Sequence, residues 1–215
     1  MNECGVCMAG LNFGSARYFP EREGMLNLAQ YELLPYILGN CTSAAEATAE
    51  LGRINITTKR FAPDMPPAPL HWLVADRESA FTAECMEGGM RICKNTVGVL
   101  TNDPPFACHM RGLSNYMHLT AAPPQNLFGA EGAEEYCAGL GAFGLPGDMS
   151  SPSRFIRAAF VRANAPSGLA GNAAVSQFFA MLSAVSVPCG ACNTARGRFF
   201  TRYMCCMDAA EGVYY

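Results

Sequence analysis

The chain has 215 residues, of which 50% are hydrophobic and 15% charged, and a formal net charge of −3. That length and apolar content suffice for one globular domain with a sizeable core and exclude a disordered chain. No run of lysine or arginine provides a footprint for nucleic acid or an anionic membrane surface, so the expected partner is a small molecule.

Taken in order, residues 1–5 read as a turn and residues 6–13 as a strand with Asn12 near its end. Asn27 is placed as the cap of a helix carrying Leu28, Tyr31, Leu34 and Leu38, kinked at Pro35. Ser43-Ala-Ala-Glu46 reads as a capping box opening a second helix. The Pro-rich stretch APDMPPAP, residues 62–69, is a surface loop. From Leu70 the pattern changes to short β-rich runs, LHWLVAD, SAFTAE, MRICK and VGVLT, punctuated by Asp76-Arg77 and Gly88-Gly89, which describe an antiparallel meander. Residues 108–119 and 172–187 read as helices, and the chain closes on strand-like FFTRYMCCM and GVYY. Helices on two sides of antiparallel strands make a single α+β domain spanning residues 1–215.

Residues 141–160, GAFGLPGDMSSPSRFIRAAF, bring turn and helix signals together. Glycines and Pro146 form a tight loop, Ser151 is placed as N-cap and Pro152 at the first helical position, and the helix runs to about Asn164. Phe155, Ile156, Ala159 and Phe160 mark its core side. Arg154 does not fit this pattern, because a cation in the first turn faces the positive end of the helix macrodipole, at a cost of ~0.3–1 kcal/mol. It is either an oriented functional charge, or it pairs with Asp148 or lays its stem over the core edge.

The string GLPGDMSSPSRFIRAAF, with AGLNF at residues 9–13 and GVLTN at residues 98–102, resembles the choloylglycine hydrolase family of bile salt hydrolases and penicillin V acylases. The similarity runs in order through the whole chain. It implies the four-layer αββα sandwich of N-terminal-nucleophile hydrolases and hydrolysis of a linear amide by an N-terminal cysteine whose own α-amino group is the base. By position in the motifs, the resemblance makes Asn102 and Asn12 oxyanion donors and gives Arg154 the task of keeping the thiol ionised. Read from residues alone, an Asn at a strand end is a turn or cap residue. Phe61, Met65 and Leu70 lie where the family builds its apolar substrate pocket, though residues of this kind also serve simple packing. His71, His109 and His118 match no triad or metal-ligand spacing and are taken as structural.

Asn12 in AGLNF favours a conjugated bile acid as substrate over penicillin V. The family's nucleophile and the Arg and Asp that accompany it have no counterpart, since Met1-Asn2-Glu3 corresponds to the interior of a family member. The resemblance thus implies a chain incomplete at the N-terminus, and also at the C-terminus, where relatives continue into sheet. Such a chain is expected to be inactive by itself and to expose sheet edges through which a homo-oligomer would form.

The competing reading comes from the cysteines. There are eleven, scattered and odd in number, with no secretory signal, and they read as buried reduced thiols. Cys4 with Cys7 and Cys189 with Cys192 form C-x-x-C pairs, which would suit a non-enzymatic zinc-binding protein. Their separation is far outside zinc-ribbon spacing, so no metal and no cofactor is expected. With no eighteen-residue apolar stretch and no leader-like start, no membrane partner is expected, and the location read from sequence is cytoplasmic.

Overall fold

The computed structural model describes residues 1–195 and 197–215. In chain order the elements are β1 (Cys7–Asn12), β2 (Leu26–Ala29), α1 (Leu33–Asn40), α2 (Ala44–Leu51), β3 (Ile54–Thr57), β4 (Leu70–Ala75), β5 (Ala80–Met86), β6 (Gly89–Lys94), α3 (Phe106–Leu113), α4 (Ser151–Ala163), α5 (Gly171–Ser183), β7 (Asn193–Thr194), β8 (Gly197–Arg198), β9 (Met207–Asp208) and β10 (Val213–Tyr214). Two short 3-10 turns sit at Ser114–Tyr116 and Leu140–Ala142.

The alternating runs after Leu70 form the meander β4-β5-β6, and β1 pairs antiparallel with β4, giving a sheet of order β1-β4-β5-β6. Side chains alternate across a sheet, so Met8, Trp72, Val74, Ala83 and Cys85 share one face. There they pack with Leu33 and Ile37 of α1 and Ala44, Ala47 and Leu51 of α2 in one buried cluster. Each large side chain buried in this way contributes ~1.5–3 kcal/mol, which makes this face the anchor of the domain. The opposite face carries His71, Thr82 and Glu84, exposed by 0%, 0% and 1%. Beyond it lies a second apolar cluster built on Val99, Phe106, Phe155 and Ile156, into which Cys93 of β6 packs. Polar side chains buried between sheet and cluster need partners, and those partners lead to the site.

Several expectations are corrected. Asn27 does not cap a helix: it lies in β2, which pairs parallel with β3, and its side chain bonds the backbone of Arg22 in both directions. The partner residues are 28 positions away, so local periodicity mistook a strand and turn for helix. The helix starts at Leu33, and Pro35 therefore falls in its first turn, where a missing N–H costs little. VGVLT is not a strand. The helix expected from residue 108 begins at Phe106 and gives way after Leu113 to a 3-10 turn, beyond the poor helix former Gly112. The α4 cap is Ser150, whose hydroxyl accepts from Ser153 N, one residue before the expected serine. FFTRYMCCM contributes only Met207 to strand, in the small β9-β10 ribbon with Val213–Tyr214. Ser43 does cap α2, while Glu46 returns to the N–H and hydroxyl of Thr42. The chain is thus α+β, with one four-stranded sheet and three two-stranded ones among the described residues. No helix among them is long and apolar enough to cross a membrane.

Candidate active site

The three motifs converge on Asn102. At the end of β6, buried Asn95 gives Nδ2 to Thr82 Oγ1 (3.1 Å) and to Val99 O (2.8 Å), and takes Gly98 N–H on Oδ1 (2.7 Å). This turn needs glycine at position 98: φ is +64°, and a Cβ there would lie 2.6 Å from Arg162 Cζ. It sends the chain back towards the end of β1, where Asn102 Nδ2 donates to Asn12 O at 2.9 Å.

Arg154, the fourth residue of α4, donates from Nη2 to Asn102 Oδ1 at 2.7 Å and from Nε to Met149 O at 3.2 Å, with its guanidinium 5.7 Å from the Phe199 ring. A guanidinium only donates. Asn102 must therefore turn Oδ1 to Arg154 and its NH2 the other way, with one N–H on Asn12 and a second without a protein partner among the described residues. The ion pair with Asp148 that sequence also allowed is not formed. Asp148 accepts instead from Ser150 N (2.9 Å) and Ser153 Oγ (2.5 Å), and these hydrogen bonds hold its carboxyl at about 2. Burial lowers the Arg154 pKa, and Arg157 beside it adds to the effect. Arg157 is satisfied by the carbonyls of Pro146, Asp148 and Ala184, so the pair remains an electropositive corner.

Sequence reasoning passed over what supports this cluster. Asp103 accepts from Gly14 N (2.6 Å), Ser15 N (3.0 Å) and Ser15 Oγ (2.6 Å), tying the residues after Asn12 to the residue after Asn102. Burial raises its pKa, but those donors outweigh burial and the net shift is downward. The available signal was Asp103 directly following GVLTN. His71 and His109, read as structural, both reach the backbone at residues 101–102. His118 does not join them.

Of the three residues expected to line a substrate pocket, Leu70 stands opposite Asn12 in the register but packs against the α1-α2 cluster. Phe61 is 71% exposed and rests edge-on against Tyr31 at 5.3 Å, and Met65 is 53% exposed. The structure therefore does not bring the three into one enclosed site. All eleven cysteines are free thiols, and no group of three or more His, Cys, Asp or Glu is arranged to hold a metal among the described residues.

A model of the linear amide C–N hydrolases, choloylglycine hydrolase family, matches residues 1–215. The chain belongs to this family. It is 41% identical over 218 residues to a bile salt hydrolase/transferase of Lactiplantibacillus plantarum, an alignment covering 100% of this chain and 67% of that protein. With a conjugated bile acid hydrolase of Lactobacillus acidophilus it shares 33% identity over 220 residues, covering 100% and 69%. A cysteine-to-alanine variant of conjugated bile acid hydrolase from Clostridium perfringens superposes with a TM-score of 0.90 at 32% identity, over 100% of this chain and 67% of the other. Penicillin V acylase from Agrobacterium tumefaciens shares the fold, with a TM-score of 0.70 at 23% identity over 91% and 54%. For a choloylglycine hydrolase, the relevant chemistry is attack on an amide carbonyl. A fixed amide N–H beside a cation suits the negative oxygen that develops there.

Proposed function

We propose that this chain supplies the oxyanion-stabilising part of a bile salt hydrolase. The observation that carries this reading is the Asn102 amide, oriented by Arg154 and Asn12 with one N–H left over. In the reaction a thiolate bonds to the amide carbon of a glycine- or taurine-conjugated bile acid, and the carbonyl electrons move onto oxygen. Asn102 Nδ2 donates to that oxyanion, and Asn12, exposed at the end of β1, supplies a second donor to it. Collapse expels the amine, which takes its proton from the base, and water then cleaves the thioester. Arg154 keeps the surroundings electropositive and so favours thiolate over thiol.

The family resemblance, in which an N-terminal cysteine attacks the amide, is the ground on which this reading assigns the attacking sulfur to a cysteine-led segment outside these 215 residues and assigns the chain alone no turnover. The same reading extends the α+β architecture to the four-layer αββα sandwich and assigns Phe61 and Met65 to the rim of the bile acid site. Support for bile acids over other amides comes from the three similar proteins named for them.

The test is release of glycine or taurine from conjugated bile salts, measured for the chain alone and for the chain joined behind a cysteine-led segment of a bile salt hydrolase. The chain alone is expected to be inert and the joined protein active. A folded joined protein that cleaves penicillin V but no bile salt would overturn the substrate assignment, and turnover by the chain alone would overturn the assignment of the nucleophile.

A further inference from the structure

The backbone beneath Asn102 is gripped from two layers, and both grips are imidazoles. His71 of β4 approaches Thr101 O with Nε2 at 2.7 Å, and His109 of α3 approaches Asn102 O with Nε2 at 2.9 Å. A backbone carbonyl only accepts, so both rings carry the proton on Nε2. Each ring also stacks on an aromatic residue from another motif. Phe13 lies 4.4 Å from His71 at an interplanar angle of 2°, and Phe155 lies 4.7 Å from His109 at 16°. Phe13 directly follows Asn12, and Phe155 directly follows Arg154. The two histidines therefore join the three segments that carry Asn12, Asn102 and Arg154.

Further bonds stiffen the same unit. Glu84 Oε1 lies 3.1 Å from His71 Nδ1 and accepts the N–H of Phe106, the first residue of the helix that carries His109. Thr101 Oγ1 bonds both the carbonyl (3.1 Å) and the hydroxyl (2.9 Å) of Ser151, the first residue of α4. Core filling alone does not account for this choice of residues. His109 is 3% exposed, yet its Nδ1 has no partner among the described residues, a desolvation cost that a phenylalanine in the same stack would avoid.

We propose that His71 and His109 are positioning residues for the oxyanion hole. By donating to consecutive carbonyls from the sheet and from α3, they prevent rotation of the peptide that aims the Asn102 amide. A single donor would leave that peptide a hinge. This rests on the reading of Asn102 as an oxyanion donor, because a positioning role has meaning only if the aim of that amide matters.

The test separates the N–H of His109 from its ring. His109→Gln retains a donor near the Nε2 position but loses the stack on Phe155; His109→Phe retains the stack but loses the donor. In the joined, cysteine-led protein, His109→Gln is expected to keep kcat within about threefold, while His109→Phe loses about tenfold or more in kcat with KM within about twofold, as for a misaimed transition-state donor. A structural role predicts the reverse order, and that order, or equal losses in both, would overturn the proposal. An inert parent would count against the bile salt reading and not against the clamp, which the 215-residue chain tests without substrate. Nitrogen-15 NMR of its imidazoles should find Nε2–H at His71 and His109. The Asn102 side-chain amide signals should be unchanged in His109→Gln and exchange-broadened in His109→Phe. An Nδ1–H tautomer at His109, or amide signals indifferent to His109→Phe, would overturn it.

Discussion

Removing the guanidinium of Arg154 while keeping its apolar stem, as in Arg154→Met, tests the orientation of Asn102 directly. The variant loses the 2.7 Å bond to Asn102 Oδ1 and the 3.2 Å bond to Met149 O. A hydrogen bond from a charged donor is worth ~1.5–3 kcal/mol net, and relief of a cation near a helix N-terminus returns ~0.3–1 kcal/mol. With both bonds lost, the expected net loss is therefore roughly 2–6 kcal/mol, read from urea melts of the chain. The diagnostic quantity is coupling. A double-mutant cycle of Arg154→Met with Asn102→Ala should give an interaction energy of ~1–2 kcal/mol, since each substitution removes the same bond. The matching cycle with Asp148→Asn should be additive within error, because Asp148 spends its oxygens on Ser150 and Ser153. In the joined protein, the pKa of the attacking thiol, read from the pH dependence of alkylation, should rise with the same substitution. Coupling to Asp148 that exceeded coupling to Asn102 would mean that Arg154 is an ion-pair residue, and would refute the orientation argument.

Asn102→Ala in the joined protein should lower kcat by about 10²–10³-fold with KM nearly unchanged, as steady-state kinetics on a conjugated bile salt will report, because the donor acts on charge present only in the transition state. Burial lowers the pKa of His109, only partly offset by its bond to Asn102 O; His71 and Arg154 lower it further and Glu84 raises it. The unfolded chain thus binds a proton at about pH 6.5 that the folded chain refuses, so stability should be full above that pH and decline as pH falls below it. Urea midpoints between pH 8 and 5.5 should show this decline, flattened in His109→Phe. Elemental analysis of the purified chain should find well under one zinc per molecule; stoichiometric zinc would favour the cysteine-based reading over the enzyme.

Local signals were enough for β1, the β4-β6 meander, the Ser43 cap and the loop leading into α4, since each is written in alternation, capping residues or Gly/Pro punctuation within a dozen residues. The motifs around Asn12, Asn102 and Arg154 were likewise legible in the sequence, as was the oddity of a cation near a helix start. The partner of that cation was not. Asp148, six residues away, was the local candidate, whereas Asn102, 52 residues away, receives the bond. The pairing of β2 with β3 and the reach of His71 and His109 to residues 101–102 were equally hidden, because no periodicity records a contact between segments distant in sequence. Each residue's conformational preference is local, but the direction in which a polar side chain donates is fixed by whichever acceptor the packed layers bring to it. The sequence by itself therefore determined the candidate residues and those elements that carry a local signal, and the tertiary structure alone decided the β2-β3 pairing, which amide is aimed, and by what.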